Sequence, residues 1–170
     1  MKVLVTGTST GIGRGIAEKF LAEGHTVIGL DVAESTIAHE NYAHYIADVA
    51  CPEQLPAVEG VEILINNAGL QDSGRDIDVN LRGTIYCTEK YGIQPNIKSI
   101  VMTASVSAHN GAEFPEYCAS KGGVLAYTKN VALRVAKYGA TCNSISAGGV
   151  ITELNAHILE NPALWDQVMA

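Results

Sequence analysis

The segment that most constrains this chain is Thr6-Gly7-Thr8-Ser9-Thr10-Gly11-Ile12-Gly13, which joins an apolar run, Val3-Leu4-Val5, to a helical pattern from Ile12 to Glu23. A chain that leaves a strand through three glycines must turn sharply, and glycine lets a bulky group approach the backbone. The helix that follows offers its first N–H groups and the positive end of its dipole to an anion such as a pyrophosphate. The spacing is G-x-x-x-G-x-G, not the commoner G-x-G-x-x-G. Asp31 comes 18 residues after Gly13, closing the second apolar run, Val27-Ile28-Gly29-Leu30. A carboxylate there accepts hydrogen bonds from adenosine ribose hydroxyls and repels a 2′-phosphate. No Lys or Arg follows in Val32-Ala33, and none stands within the glycine turn. The expected cofactor is therefore NAD, with NADP disfavoured, and Gly7, Thr10, Gly11, Ile12, Gly13 and Asp31 are its expected contacts.

Apolar runs and helical stretches alternate along the rest of the chain. Strands are expected at Tyr42–Ala47, Ile63–Ile65, Ile97–Thr103 and Ala140–Ile145, and helices at Leu81–Tyr91 and Tyr117–Tyr138. This order predicts an α/β fold: a Rossmann-like, doubly wound parallel sheet with helices on both faces. The 170 residues suit one domain, the last nineteen of them expected to begin a helical segment over the substrate. A net charge of −7 argues against a nucleic-acid partner. No run of 18 apolar residues occurs, so no membrane span is expected, and the N-terminus lacks the layout of a signal peptide. Cys51, Cys87, Cys118 and Cys142 form no C-x-x-C pair, and the histidines show no ligand spacing. No metal is expected, and the cysteines read as reduced, mostly buried thiols of a cytoplasmic protein.

Further motifs follow in a fixed order. Asp48-Val49 stands after the third strand, Asn66-Asn67-Ala68-Gly69 after the fourth, Asp78-Val79-Asn80 at the next helix, Ser105 after the fifth strand, and Tyr117-Cys118-Ala119-Ser120-Lys121 at the start of the long helix. Each is weak alone, but in this order they make residues 2 to about 152 resemble the short-chain dehydrogenase/reductase family, in its non-extended branch. The resemblance implies an oxidoreductase acting on an alcohol or carbonyl, with Tyr117, Lys121, Ser105 and Asn80 as catalytic residues. It implies that Asp48 bonds the adenine ring and that Val49, Asn67, Ala68 and Gly69 border the cofactor. By the same resemblance, Tyr117 and Lys121 would also face the nicotinamide ribose, and Val150 and Thr152 would meet the carboxamide and pyrophosphate. A homodimer or homotetramer packed through helices 81–91 and 117–138 is implied as well.

The chemistry fits the residue types. A free tyrosine has a pKa of about 10, so roughly one in a thousand is ionised at pH 7. Lys121, four residues on, shares its helical face, and its charge stabilises a phenolate. Ser105 would polarise the carbonyl, with Ser107 and Thr103 as rivals for that role. Asn80 would position a relay water, as in the family, or else cap a helix. His109, Glu113 and Phe114 are candidates to line the substrate pocket.

Three departures from the family pattern stand out. Ala147 replaces the usual proline after the sixth strand, which loosens the backbone that braces the nicotinamide. Only 17 residues separate Asp48 from Asn66 and 10 separate Gly69 from Asn80, leaving Glu53–Val58 room for a turn or two and Asp72–Arg75 to cap the next helix. The chain stops at Ala170, in an expected helix from near Thr152, where the family continues with a further strand and a substrate lobe. That favours a fragment over an abbreviated member that completes itself by association. It also raises an alternative: an NAD-binding protein without efficient turnover, serving as a sensor or partner subunit.

Overall fold

The computed structural model describes residues 1–112, 114–152 and 161. Six parallel strands form one sheet in the order β3-β2-β1-β4-β5-β6. They are β1 (Lys2–Thr6), β2 (Thr26–Asp31), β3 (Tyr42–Ile46), β4 (Ile63–Asn66), β5 (Ser99–Ser105) and β6 (Thr141–Ala147). The helices are α1 (Gly11–Ala22), α2 (residues 77–92), α3 (Ser107–Asn110) and α4 (Pro115–Val135). The α/β, Rossmann-like reading holds.

The central strands are buried on both faces, which is why they read as unbroken apolar runs. Val3 and Val5 of β1 pair with Ile63 and Ile65 of β4, and these four pack with Ala17 and Leu21 of α1. The residues between them, Leu4 and Leu64, face the other way and join Tyr91 of α2 and Val131 and Val135 of α4. The period of two along each strand thus divides the core into two layers. Beside β1 the strand order reverses, with β2 on one side and β4 on the other, so a crevice opens where the connections diverge.

Several boundaries move. β5 runs to Ser105, two residues beyond the expected end, because β6 continues beside it as far as Ala147. Ala147 is therefore the last residue of a strand, paired with Ser105, and its carbonyl accepts the Val106 N–H at 3.0 Å. α2 starts at Ile77, ahead of the expected Leu81, and most of it winds in wide π-type turns, Ile77–Gly83 and Thr88–Gly92, around an α-helical centre at Thr84–Cys87. Asn80 lies inside this helix, which rules out the capping role. Pro115 opens α4 at a position where its missing N–H costs nothing. The segment after Asp48 makes a single 3₁₀ turn, Pro52–Gln54. The helix expected from near Thr152 lies outside the described residues.

Cys87 and Cys142 are buried, and burial raises their thiol pKa to about 12 and about 11. Cys51 and Cys118 are only part-buried, so two thiols of the four are enclosed, not most. Cys51 stands just before the 3₁₀ turn and Cys118 in the first turn of α4. Among the described residues no helix is long and apolar enough to cross a membrane, and no cluster of potential metal ligands forms.

Candidate cofactor groove and catalytic cluster

A groove of about 430 Å³ runs along the carboxyl ends of the strands, from β2 and β3 at one end to α4 at the other. Its floor begins with the glycine turn. Gly7 has φ +76, and a Cβ there would come within 2.9 Å of the Ala68 Cα. A Cβ at Gly13 would sit 1.9 Å from the Gly7 carbonyl oxygen. Both positions therefore demand glycine, and α1 can begin directly beneath the turn. Thr10 holds the N-cap position in extended conformation with no side-chain cap, so the helix start at Thr10, Gly11 and Ile12 faces the groove.

Side chains from β1, β2 and the loop after β4 fix this turn. The buried Thr6 hydroxyl accepts the N–H groups of Asn67 and Ala68, each at 3.0 Å. The Asn67 amide donates to the carbonyls of Thr6 and Gly7 at 3.1 and 3.3 Å. Asp31 accepts the Ser9 N–H on one oxygen at 2.9 Å and the Ala33 N–H on the other at 3.0 Å. Its carboxylate is thereby oriented at the rim of the groove, and each oxygen keeps a lone pair for a ribose hydroxyl. Behind the turn the Tyr42 hydroxyl donates to Thr8 at 2.8 Å and meets His44 Nδ1 at 3.0 Å.

Asp48 stands at the β3 end. Its Oδ1 accepts the Ala50 N–H at 2.9 Å, and its Oδ2 accepts Arg75 Nη2 at 2.6 Å. Burial would raise this carboxyl, but the Arg75 bond and the Ala50 N–H outweigh it and hold the pKa below the usual range. Val49, Asn67, Ala68 and Gly69 line the middle of the groove.

At the α4 end, Tyr117 and Lys121 both border the groove, one helical turn apart. Lys121 is 4% exposed; its Nζ donates to the Thr103 carbonyl at 2.8 Å and lies 5.7 Å from the Tyr117 ring centre. Burial pushes its pKa down to about 8, while the charge of Asp76 pulls it upward. Asp76 is itself 1% exposed, and its carboxylate accepts the N–H groups of Asp72 and Ser73 and the Ser73 hydroxyl. Among the described residues these two are the buried carboxylate and the buried ammonium. One turn beyond Asp76, Asn80 clamps the loop after β4. Its Oδ1 accepts the Leu70 N–H at 2.7 Å, and its Nδ2 donates to the Leu70 carbonyl at 2.8 Å and to Ser120 Oγ at 3.0 Å. Ser120 passes the link on to the Tyr117 carbonyl at 2.7 Å.

Ser105 and Ser107 are both buried, with their hydroxyls 3.2 Å apart, and Ser105 also accepts the Ser107 N–H. Of the residues singled out in the sequence, Thr152 joins the groove lining, whereas Gly13, Asn80, Ser105 and Val150 stand behind or beside it. His109 bonds Ser146 at 2.8 Å, tying α3 to β6, and Phe114 is exposed. Glu113 lies outside the described residues. The sequence reading missed Thr6 as the acceptor that joins β1 to the Asn67 loop, Arg75 at the groove wall, and Asp76. For Thr6 the signal was present, since it opens the glycine motif. For Arg75 and Asp76 the spacing carried none.

The matches to known proteins agree with this geometry. The family model described as short chain dehydrogenase matches residues 1–163. The 2-(R)-hydroxypropyl-CoM dehydrogenase of Xanthobacter autotrophicus is 30% identical over 208 residues, an alignment that covers 98% of this chain and 81% of that protein. A putative 2-deoxy-D-gluconate 3-dehydrogenase of Agrobacterium tumefaciens, solved with bound NADP, superposes with a TM-score of 0.88 at 26% identity, covering 98% of this chain and 78% of that one. The 3-oxoacyl-[acyl-carrier protein] reductase of Brucella melitensis, solved in complex with NAD, gives 0.81 at 28% identity and covers 94% and 77%. With the glycine turn, the Asn67 loop and the Tyr117–Lys121 turn all on one groove, this chain belongs to the short-chain dehydrogenase family of oxidoreductases.

Proposed function

We propose that the chain is an NAD(H)-dependent oxidoreductase that interconverts an alcohol and a carbonyl by hydride transfer, with Tyr117 as general acid and base. The observation that carries this reading is one groove with a carboxylate, Asp31, at its β2 end and the Tyr117–Lys121 turn at its α4 end. The groove suits a dinucleotide: the glycine floor admits a pyrophosphate, and Asp31 suits a free 2′-hydroxyl but not a 2′-phosphate. A nicotinamide ring, when bound, supplies or accepts the hydride.

The chain's own residues handle the proton and the oxygen. In reduction the Tyr117 hydroxyl gives its proton to the carbonyl oxygen, and in oxidation the phenolate takes it back. Lys121 stays charged at pH 7 even with its pKa at about 8, and its field stabilises that phenolate. The Thr103 carbonyl holds Nζ in place. Ser105, once turned from Ser107, donates to the substrate oxygen. Asn80 acts through the backbone by holding the Leu70 loop against Ser120. The whole of residues 1–170 serves as one nucleotide-binding domain in this reading, and helices 81–91 and 117–138 supply a dimer or tetramer interface.

The test is Tyr117→Phe. Turnover of a carbonyl substrate should fall by about a thousand-fold, while NADH affinity by calorimetry stays within about two-fold. Turnover equal to that of the unaltered protein would overturn the mechanism.

A further inference from the structure

The loop after β4 does something at the groove that the Tyr117–Lys121 chemistry does not require. Ten residues separate Gly69 from Asn80, and they fold back on the Asp76 carboxylate, which gathers the N–H groups of Asp72 and Ser73. Asp72 adopts φ +52 to make this turn. The Ser73 hydroxyl then accepts the Arg75 N–H at 3.1 Å. The result is that Arg75 is delivered across the groove to Asp48, to which its Nη2 donates at 2.6 Å.

The position of this pair decides what it faces. Arg75 and Asp48 line the groove together with Leu30, Val32, Ala47 and Val49, the residues at the ends of β2 and β3. That end lies across the sheet from Tyr117 and next to Asp31. A ligand whose ribose sits on Asp31 therefore places its base among these apolar side chains, with Arg75 as the cation beside them among the described residues. The Arg75 side chain keeps half of its surface open, and the ion pair holds one of its nitrogens. An exposed ion pair contributes little to stability. A planar cation fixed beside an apolar slot does offer a stacking surface to an aromatic ring.

We infer that Arg75, anchored by Asp48, is the wall on which the adenine ring of the dinucleotide stacks, and that it sets the affinity for the adenosine half. This rests on the dinucleotide reading of the groove. Asp48 acts as a positioning residue for the guanidinium and keeps a lone pair on each oxygen for the base.

The experiment titrates the protein, Arg75→Lys and Arg75→Met with NADH, NADPH, ADP-ribose and reduced nicotinamide mononucleotide by calorimetry, with thermal melts to check folding. Lysine keeps the charge and the reach to Asp48 but has no flat face, so both variants should lose roughly ten-fold in affinity for NADH and ADP-ribose. The mononucleotide, which has no adenine, should bind all three proteins equally. Unchanged ADP-ribose binding in Arg75→Met overturns the inference. So does a loss confined to NADPH, which would make Arg75 a phosphate ligand, and so does full retention in Arg75→Lys, which would make the effect one of charge alone. If the unaltered protein binds neither dinucleotide, the dinucleotide reading itself fails and takes this inference with it.

Discussion

The two ends of the groove are held by different means. At the glycine turn, each recognition group is tied to backbone: Thr6 accepts two N–H groups, Asn67 donates to two carbonyls, and Asp31 accepts two N–H groups. At the α4 end Lys121 and Ser105 are buried and each has few partners. Lys121 rests on a single carbonyl with Asp76 as its distant counter-charge, and Ser105 is turned to Ser107. The first end is stabilised by the bonds that shape it. The second is a destabilising element, because a buried ammonium gives up its hydration. In the proposed reading, binding and reactivity thus draw on opposite sides of the folding balance.

The sharpest way to probe the reactive end is to separate its two serines. Ser105→Ala should lower turnover about a hundred-fold or more, the loss expected when a donor to the substrate oxygen is removed. Ser107→Ala should cost less than about ten-fold, because in this reading Ser107 acts on the substrate oxygen through the Ser105 hydroxyl. Steady-state rates for both variants with one carbonyl substrate decide the order, and the reverse order would assign the oxygen contact to Ser107.

Next comes the stability of the same end. The fall of the Lys121 pKa from its ordinary 10.5 to about 8 corresponds to about 3 kcal/mol of burial cost. Below pH 8 the lysine is charged in both folded and unfolded chains, so the full cost is present. As pH rises from 8 toward 10.5, the folded form has already lost its proton while the unfolded form still holds one, and the cost disappears. Lys121→Met should therefore raise stability at pH 7, and its advantage over the unaltered protein should shrink by pH 10. Urea melts at the two pH values measure it; an advantage that does not change with pH would contradict the burial account.

The binding end should respond in the opposite sense. Thr6→Val keeps shape and strand preference but strands the Asn67 and Ala68 N–H groups, which should cost about 2 kcal/mol at any pH and weaken NADH binding with it. A loss below about 0.5 kcal/mol by urea melt would mean that the turn holds its form without this crossing.

The contrast also explains what could be read from the sequence. The strands were legible because burial on both faces leaves apolar runs such as Ile63-Leu64-Ile65. The glycine turn was legible because Gly7 and Gly13 meet backbone, which only glycine tolerates. Tyr117 and Lys121 were legible because they lie on a regular helix, where spacing alone gives proximity. The loop from Leu70 to Asp76 was not, since its path depends on one buried carboxylate and on the clamp from Asn80, and neither leaves a periodic trace. The end of β5 was missed because pairing with β6 as far as Ala147, not local preference, extends it. Ala147, where the family pattern has a proline, closes β6 by pairing with Ser105, a placement that long-range pairing sets.

The central claim is that this groove holds NAD(H), and the most direct measurement is calorimetric titration of the 170-residue chain with NADH and with NADPH separately. Clear binding of NADH, with NADPH weaker by at least about ten-fold, is the predicted result, because in the proposed reading the Asp31 carboxylate would repel a 2′-phosphate. Equal or tighter binding of NADPH would contradict it.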